Sequence, residues 1–313
     1  MVRQYDYDNF ILNVLEVIPQ EQMLDSLRLF AREVMPHFKD DRRIRRRCAK
    51  AHIAAERGRR RALMPPRYGK LAVSEWGKSA PIINGYRTDP WKLNGARLLE
   101  FRYEIDDESA DALLPPALHP AMPAYATFAV IDFPDSPIGH FSVGEVRIVG
   151  RAGGRPAAFV ASSFCDSAAA CQELSARRGY PVTPADVALT ARHYDIVARV
   201  SANGHSLLEL ELRNRRPLPS LHLQPLPSMN LACNREDGRL VLVQVDIEAV
   251  FAQSDGGSER AIRLDPNAFR GSENIQLMSP MSSAFAIADL TLARIQVICD
   301  PERPAESGTT YLD

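Results

Sequence analysis

The chain has 313 residues, 45% hydrophobic and 25% charged, and a formal net charge of −1. That composition suits a globular chain with a sizeable core and excludes one disordered throughout. It contains no run of 18 apolar residues and no basic start followed by a short apolar stretch, so neither a transmembrane helix nor a signal peptide is expected, and the expected location is cytoplasmic.

The first segment, residues 1–38, is predicted to be helical. After Pro19, Met23, Leu24, Leu27, Phe30 and Val34 recur at three-to-four spacing. Residues 39–90 are predicted to form a basic linker or irregular arm. Residues 39–61 hold eleven Lys or Arg against three acids, which reads as a solvated helix or linker. A polyanion contact is the alternative, but the block has no aromatic residue to stack on bases and no zinc-ligand spacing, so no nucleic acid and no membrane partner is expected. Residues 62–90 are rich in Pro and Gly without a sustained period.

From Trp91 the pattern changes to short alternating or β-branched runs: Leu98–Tyr103, Ala126–Phe133, Val143–Val149, Ala157–Phe164, Asp195–Val200, Leu207–Leu212, Leu240–Ile247 and Leu290–Cys299. Gly153-Gly154, Asn203-Gly204 and Asp237-Gly238 are pairs that accept the positive φ of tight hairpin turns. Only Glu108–Leu114 and Ser167–Arg178 read as interior helices. These features predict a mainly β domain over 91–303, a closed antiparallel barrel or a sandwich with a few helices, followed by a tail over 304–313.

The cysteines, Cys48, Cys165, Cys171, Cys233 and Cys299, form an odd set without a CxxC pair, against both a disulfide framework and a structural zinc. The seven histidines show no metal spacing, and no phosphate-binding, dinucleotide-binding, zinc-protease or serine-hydrolase motif appears. No metal and no cofactor is expected. Of 38 basic residues only five are lysine: Lys39, Lys50, Lys70, Lys78 and Lys92. Nothing after residue 92 can form a lysine imine.

Four blocks in order carry a resemblance: LLPPALHP (Leu113–Pro120), DFPDSPIGHFSVGEV (Asp132–Val146), GYPVTPADV (Gly179–Val187) and SSAFAIADLTLARIQVICD (Ser282–Asp300). Together they resemble the acetoacetate decarboxylase-like family over about residues 91–300. The resemblance implies a barrel of mostly antiparallel strands with an interior pocket for a small molecule, and assembly into a homo-oligomer. A second resemblance is confined to Glu21–Phe38, which is similar to the closing helix of luciferase-like flavin monooxygenases; fewer than 40 residues leave no room for their barrel, so no flavin site follows.

The family's chemistry needs an amine that condenses with a substrate ketone. A lysine with its ordinary pKa near 10.4 is protonated at neutral pH and needs a neighbouring cation or desolvation to react. GYPVTPADV matches the family's GFPKKLADV without a gap, which puts Val182 and Thr183 at the two lysine positions. Shifting the alignment brings Arg177 and Arg178 there instead, and guanidinium forms no imine either. The family's pocket glutamates fall on Val143 and Phe128, with Glu145 two residues along on the same strand face. Arg97 matches the family's pocket arginine with an offset of one residue.

The expected ligand-contacting set is therefore Arg97, Phe128, Val143, Glu145, Arg178 and Val182, with Glu145 and Thr183 as candidate catalytic groups. Three functions compete. The first is binding of a hydrophobic keto or carboxylate compound without Schiff-base decarboxylation. The second is lysine-independent lyase, isomerase or aldol-type chemistry through enolate stabilisation. The third is a structural or interaction module that uses the basic arm.

Overall fold

Alternation in the strand runs decides the architecture, because each long strand presents one side chain in two to each face of a sheet. The structure, a computed structural model, describes residues 32–33, 67–218 and 225–312, without the side chains of 258 and 259. The helix expected over 1–38 and the basic block at 39–61 thus lie outside the described residues, apart from 32 and 33.

From Pro66 onward the chain forms its own compact unit. Its strands in chain order are β1 (Ile82–Ile83), β2 (Trp91–Ile105), β3 (His119–Pro120), β4 (Tyr125–Phe133), β5 (Phe141–Ala152), β6 (Arg155–Cys165), β7 (Val182–Pro184) and β8 (Asp186–Ala191). There follow β9 (Ile196–Ala202), β10 (His205–Pro217), β11 (Ser228–Asn234), β12 (Leu240–Val245), β13 (Ile247–Leu264), β14 (Leu277–Leu292), β15 (Val297–Cys299) and β16 (Thr309–Tyr311). Among the described residues four short α-helices accompany them: α1 (Val73–Gly77), α2 (Asp107–Leu113), α3 (Ala168–Arg178) and α4 (Ala305–Gly308).

All sixteen strands join one mixed sheet, in the order β16-β15-β12-β11-β6-β5-β4-β2-β14-β13-β10-β9-β8 along its main path. Among the described residues only β1–β11, β11–β6 and β6–β7 pair in parallel. The expected closed barrel is corrected here: β8 and β16 end the path without pairing to each other, so the sheet stays open. Side-chain packing does the work that closure would do. Val187 of β8 and Ile196 and Val200 of β9 share a buried cluster with Val146 of β5 and Phe164 of β6. Gly144 of β5 permits this approach, since a Cβ there would lie 2.4 Å from Cγ2 of Val200.

The three hairpin pairs sit at the β5–β6, β9–β10 and β11–β12 turns, with Asn203 at φ 53° and Gly204 at φ 78° supplying two consecutive left-handed residues. Helix α2 starts on the Asp106 side chain, which accepts from the Ser109 amide at 3.1 Å, and Pro115-Pro116 follow its end. Helix α3 starts on Ser167 and stops at Gly179, whose φ of 68° makes the left-handed cap. Residues 67–90, expected as arm, pack on the sheet: Leu71, Val73 and Ile83 are buried in its cores. The expected tail contributes α4 and strand β16, which pairs with β15.

Candidate ligand pocket

Strands β2, β4, β5 and β6 lie side by side, in continuous register from β2 to β5 and with one bulge between β5 and β6 at Val146–Arg147, and paired residues point to the same face. Three rows on one face follow from that register. Leu98, Ile131, Val143 and Cys165 make an apolar row; Glu100, Ala129, Glu145 and Ser163 make the next, continued to Val182 on β7. Arg102, Thr127, Arg147 and Val160 make the third. A carboxylate row with alanine at its centre therefore lies beside a guanidinium row with threonine at its centre.

This face lines a cavity of about 70 Å³. Leu174 of α3 and Tyr180, in the turn after α3, also line it, as do Phe133, Phe141, Phe251, Leu290 and Leu292. Within each charged strand the partners meet at a spacing of two residues. Nε of Arg102 donates to Oε1 of Glu100 at 2.8 Å, and Nε of Arg147 to Oε2 of Glu145 at 2.7 Å. Nη2 of Arg147 also reaches that same Glu145 oxygen. The second pair is the deeper, with side-chain exposures of 12% for Arg147 and 5% for Glu145.

Burial works against the charge on Arg147, but the Glu145 carboxylate and the neighbouring Tyr180 more than offset it, so its pKa lies above the ordinary value. Arg102 follows the same logic through Glu100. Burial raises the Tyr180 phenol above its usual range, with Arg147 pulling the other way; the group stays neutral at physiological pH and shares a 2.9 Å hydrogen bond with the Ser228 hydroxyl. The wall thus offers two fixed cations, two carboxylates and a phenol in an otherwise apolar cavity.

Of the residues singled out from sequence, Val143 and Glu145 line this cavity. Phe128 lies in the same strand as Thr127 and Ala129 but faces the other side, fully buried against Tyr103. Arg97 is also on that other face, where its Nε donates to Oδ2 of Asp132 at 2.7 Å. Arg178 is buried and does not line the cavity: it lies over the Trp91 ring at 5.3 Å and donates to the Asp89 carbonyl at 2.6 Å. Val182 is half-buried at the end of the carboxylate row and Thr183 is exposed; both line a second opening at the fork where β6 passes from β11 to β7.

Sequence reasoning missed Glu100, Arg102, Arg147 and Tyr180. A signal was present, because Glu100-Phe101-Arg102 and Glu145-Val146-Arg147 repeat one Glu-x-Arg spacing on two strands. Among the described lysines, Lys70 pairs with Asp111 at 2.9 Å, Lys78 with Glu75 at 2.7 Å, and Lys92 is exposed; none lines the cavity. Burial pushes the Cys165 thiol up to about 12 and raises Cys171, so neither is an activated thiolate.

An open, largely antiparallel sheet with a charged cavity on one face sets this architecture apart from the alternating strand–helix order of doubly wound α/β proteins. A family model described as Acetoacetate decarboxylase (ADC) matches residues 71–300, and the chain belongs to that family. Solved structures with the same fold include acetoacetate decarboxylase from Legionella pneumophila subsp. pneumophila str. Philadelphia 1, at 22% identity and TM-score 0.61, covering 68% of this chain and 88% of that one. The enduracididine biosynthesis enzyme MppR complexed with pyruvate matches at 18% identity and TM-score 0.54, over 66% of this chain and 89% of that one. An acetoacetate decarboxylase-like enzyme from Sphingomonas wittichii RW1 matches at 16% identity and TM-score 0.54, over 72% and 94%. No curated protein sequence matches the chain.

Proposed function

We propose that this pocket binds a small keto or carboxylate compound with a hydrophobic body and does so without Schiff-base decarboxylation. The carrying observation is the composition of the wall: guanidinium, carboxylate and phenol groups line it, and none of the described lysines does. In this reading Val182 and Thr183 stand where the family motif has its two lysines, and an isopropyl group has no nucleophilic atom. Arg102 and Arg147 supply fixed N–H donors for a carboxylate or carbonyl oxygen. The row of Leu98, Ile131 and Val143 faces the hydrocarbon part, each buried methylene contributing about 0.8 kcal/mol.

The direct test treats the full chain with acetone, acetoacetate or pyruvate and borohydride, then measures intact mass. The expected result is no adduct, with saturable binding of a hydrophobic carboxylate by calorimetry. A stoichiometric reduced adduct on any lysine would overturn the reading.

A second reading, lysine-independent lyase or isomerase chemistry, rests on one arrangement: Glu145, Arg147 and the neutral Tyr180 converge on one side of the cavity. Glu145 would move a proton while Arg147 and Tyr180 hold a developing enolate oxygen. Release of CO2 or exchange of α-hydrogens for deuterium in a keto-acid panel, lost in Glu145→Gln, separates it from binding alone. Oligomeric assembly belongs to this proposal as well, and sedimentation of the full chain tests it.

A further inference from the structure

The two charged rows specify the occupant more narrowly than a keto or carboxylate compound. Glu100 and Glu145 flank Ala129, and Arg102 and Arg147 flank Thr127, with the two rows roughly 7 Å apart along the strands. All four charged residues line the same cavity, in which the remaining wall is mostly apolar.

Stability alone gives little reason for them. A buried ion pair is commonly no more stable than well-packed hydrophobic residues in its place, and here there are two such pairs on adjacent rows. The deeper pair engages one carboxylate oxygen. Glu145 uses only Oε2, which receives both Nε and Nη2 of Arg147, so Oε1 of Glu145 and Nη1 of Arg147 stand outside the pair.

An occupant with a single charge fits this wall poorly. An anion set on the guanidinium row faces two carboxylates one row away, a cation set on the carboxylate row faces two guanidiniums, and a neutral hydrocarbon strips water from all four charges and replaces none of it. A molecule carrying both signs satisfies both rows at once.

Resting on the proposed binding function, we infer that the ligand is zwitterionic. Its carboxylate lies on the row of Arg102 and Arg147, and an amino or guanidino group lies on the row of Glu100 and Glu145. The class is an amino acid or a guanidino acid with an apolar body, and its positive group is what Glu100 and Glu145 read.

Isothermal calorimetry on the full chain with four six-carbon probes tests this: hexanoate, hexylamine, norleucine and 6-aminohexanoate. At least one of the two amino acids is expected to bind about tenfold or more tightly than both single-charge probes. Glu145→Gln should remove the advantage over hexanoate, a loss of roughly 10–100-fold for one charge-assisted partner, and Arg147→Met the advantage over hexylamine. If either single variant fails to fold, Glu145→Gln with Arg147→Met removes both charges together, and the same loss is expected. Hexanoate binding as tightly as the amino acids would overturn the zwitterion and leave the carboxylate-binding function standing. Hexylamine as the tightest probe, or no binding by any of the four, would overturn both. A borohydride-trapped adduct would overturn the imine-free function on separate grounds.

Discussion

The two faces of the β2–β4–β5 sheet are built from alternate residues of the same strands, yet they hold opposite contents. One face carries Leu99, Phe101, Phe128, Val130, Val146 and Ile148, all fully buried in a continuous apolar core. The other carries Glu100, Arg102, Thr127, Glu145 and Arg147 around a cavity. The packed face supplies the rigidity with which the charged face holds its groups in position, a division that placing a site on strands makes possible. Stability and ligand recognition should therefore separate cleanly by parity along each strand.

The largest effect should come from breaking the packed face. Phe128→Ala removes a fully buried ring and should cost about 3–5 kcal/mol in urea unfolding, because the tightly packed surroundings relax only in part. Where the variant still folds, its preference among ligands should match the wild type, since Phe128 points away from the cavity. A change in specificity without a loss of stability would show that the faces are not divided in this way.

A smaller stability effect is expected on the charged face. Arg147→Met leaves the Glu145 carboxylate buried without its partner and should cost about 1–3 kcal/mol. Adding Glu145→Leu should return stability to the wild-type value or above it, because an apolar pair avoids the desolvation of both ions. Unfolding curves for the two single variants and the double variant read this directly. A double variant less stable than both singles would make the pair structural, against the division proposed.

Val182→Lys sharpens the comparison at the end of the carboxylate row. Val182 is half-buried, packs with the pocket-side cluster and is in register with Ser163 and Glu145. A lysine there would be half-buried at the second opening, in the row of Ser163 and Glu145, and desolvation lowers an amine's pKa. Borohydride with acetoacetate should then give an adduct mapping to position 182, with a stability change of about 0.5–3 kcal/mol, within the usual range for a point change. No adduct in a folded variant would mean that position 182 does not reach the cavity.

The fold was legible because its signals are local. Asn203-Gly204 and Gly153-Gly154 demand tight turns whatever surrounds them, and Ser167 and Gly179 bracket α3 by capping chemistry. Sheet closure was not legible, since it depends on whether β8 and β16 meet, which no local pattern encodes. In the pocket, alternation alone does not distinguish a solvent-facing side from a cavity wall. Leu98-Leu99-Glu100-Phe101-Arg102 reads as a strand with its polar side toward solvent, but α3, β13 and β14 cover part of that side and turn it into the wall of a cavity. Arg97 looked like a pocket residue from a resemblance offset by one position, and an offset of one sends a strand side chain to the opposite face.

That face gives Arg97 a different part, and the last and smallest effect concerns its partner. Asp132 is almost fully buried, and it accepts hydrogen bonds from Arg97 at 2.7 Å, His140 at 2.6 Å and the Ser142 hydroxyl at 3.2 Å. Burial alone would raise its pKa, but the hydrogen bonds from His140 and Arg97 and their charges hold it below the ordinary aspartate value. A carboxyl depressed in the folded state binds fewer protons there than in the unfolded chain. Its contribution is therefore present above the unfolded pKa of about 3.9 and is lost as pH falls through the lower folded value. Asp132→Asn should lower the urea midpoint at pH 6 and flatten its decline between pH 4 and the acid limit, while ligand preference stays that of the wild type. An acid limb as steep in Asp132→Asn as in the wild type would assign the loss to other carboxylates, and a shifted ligand preference would mean that the Arg97 cluster communicates with the cavity across the sheet.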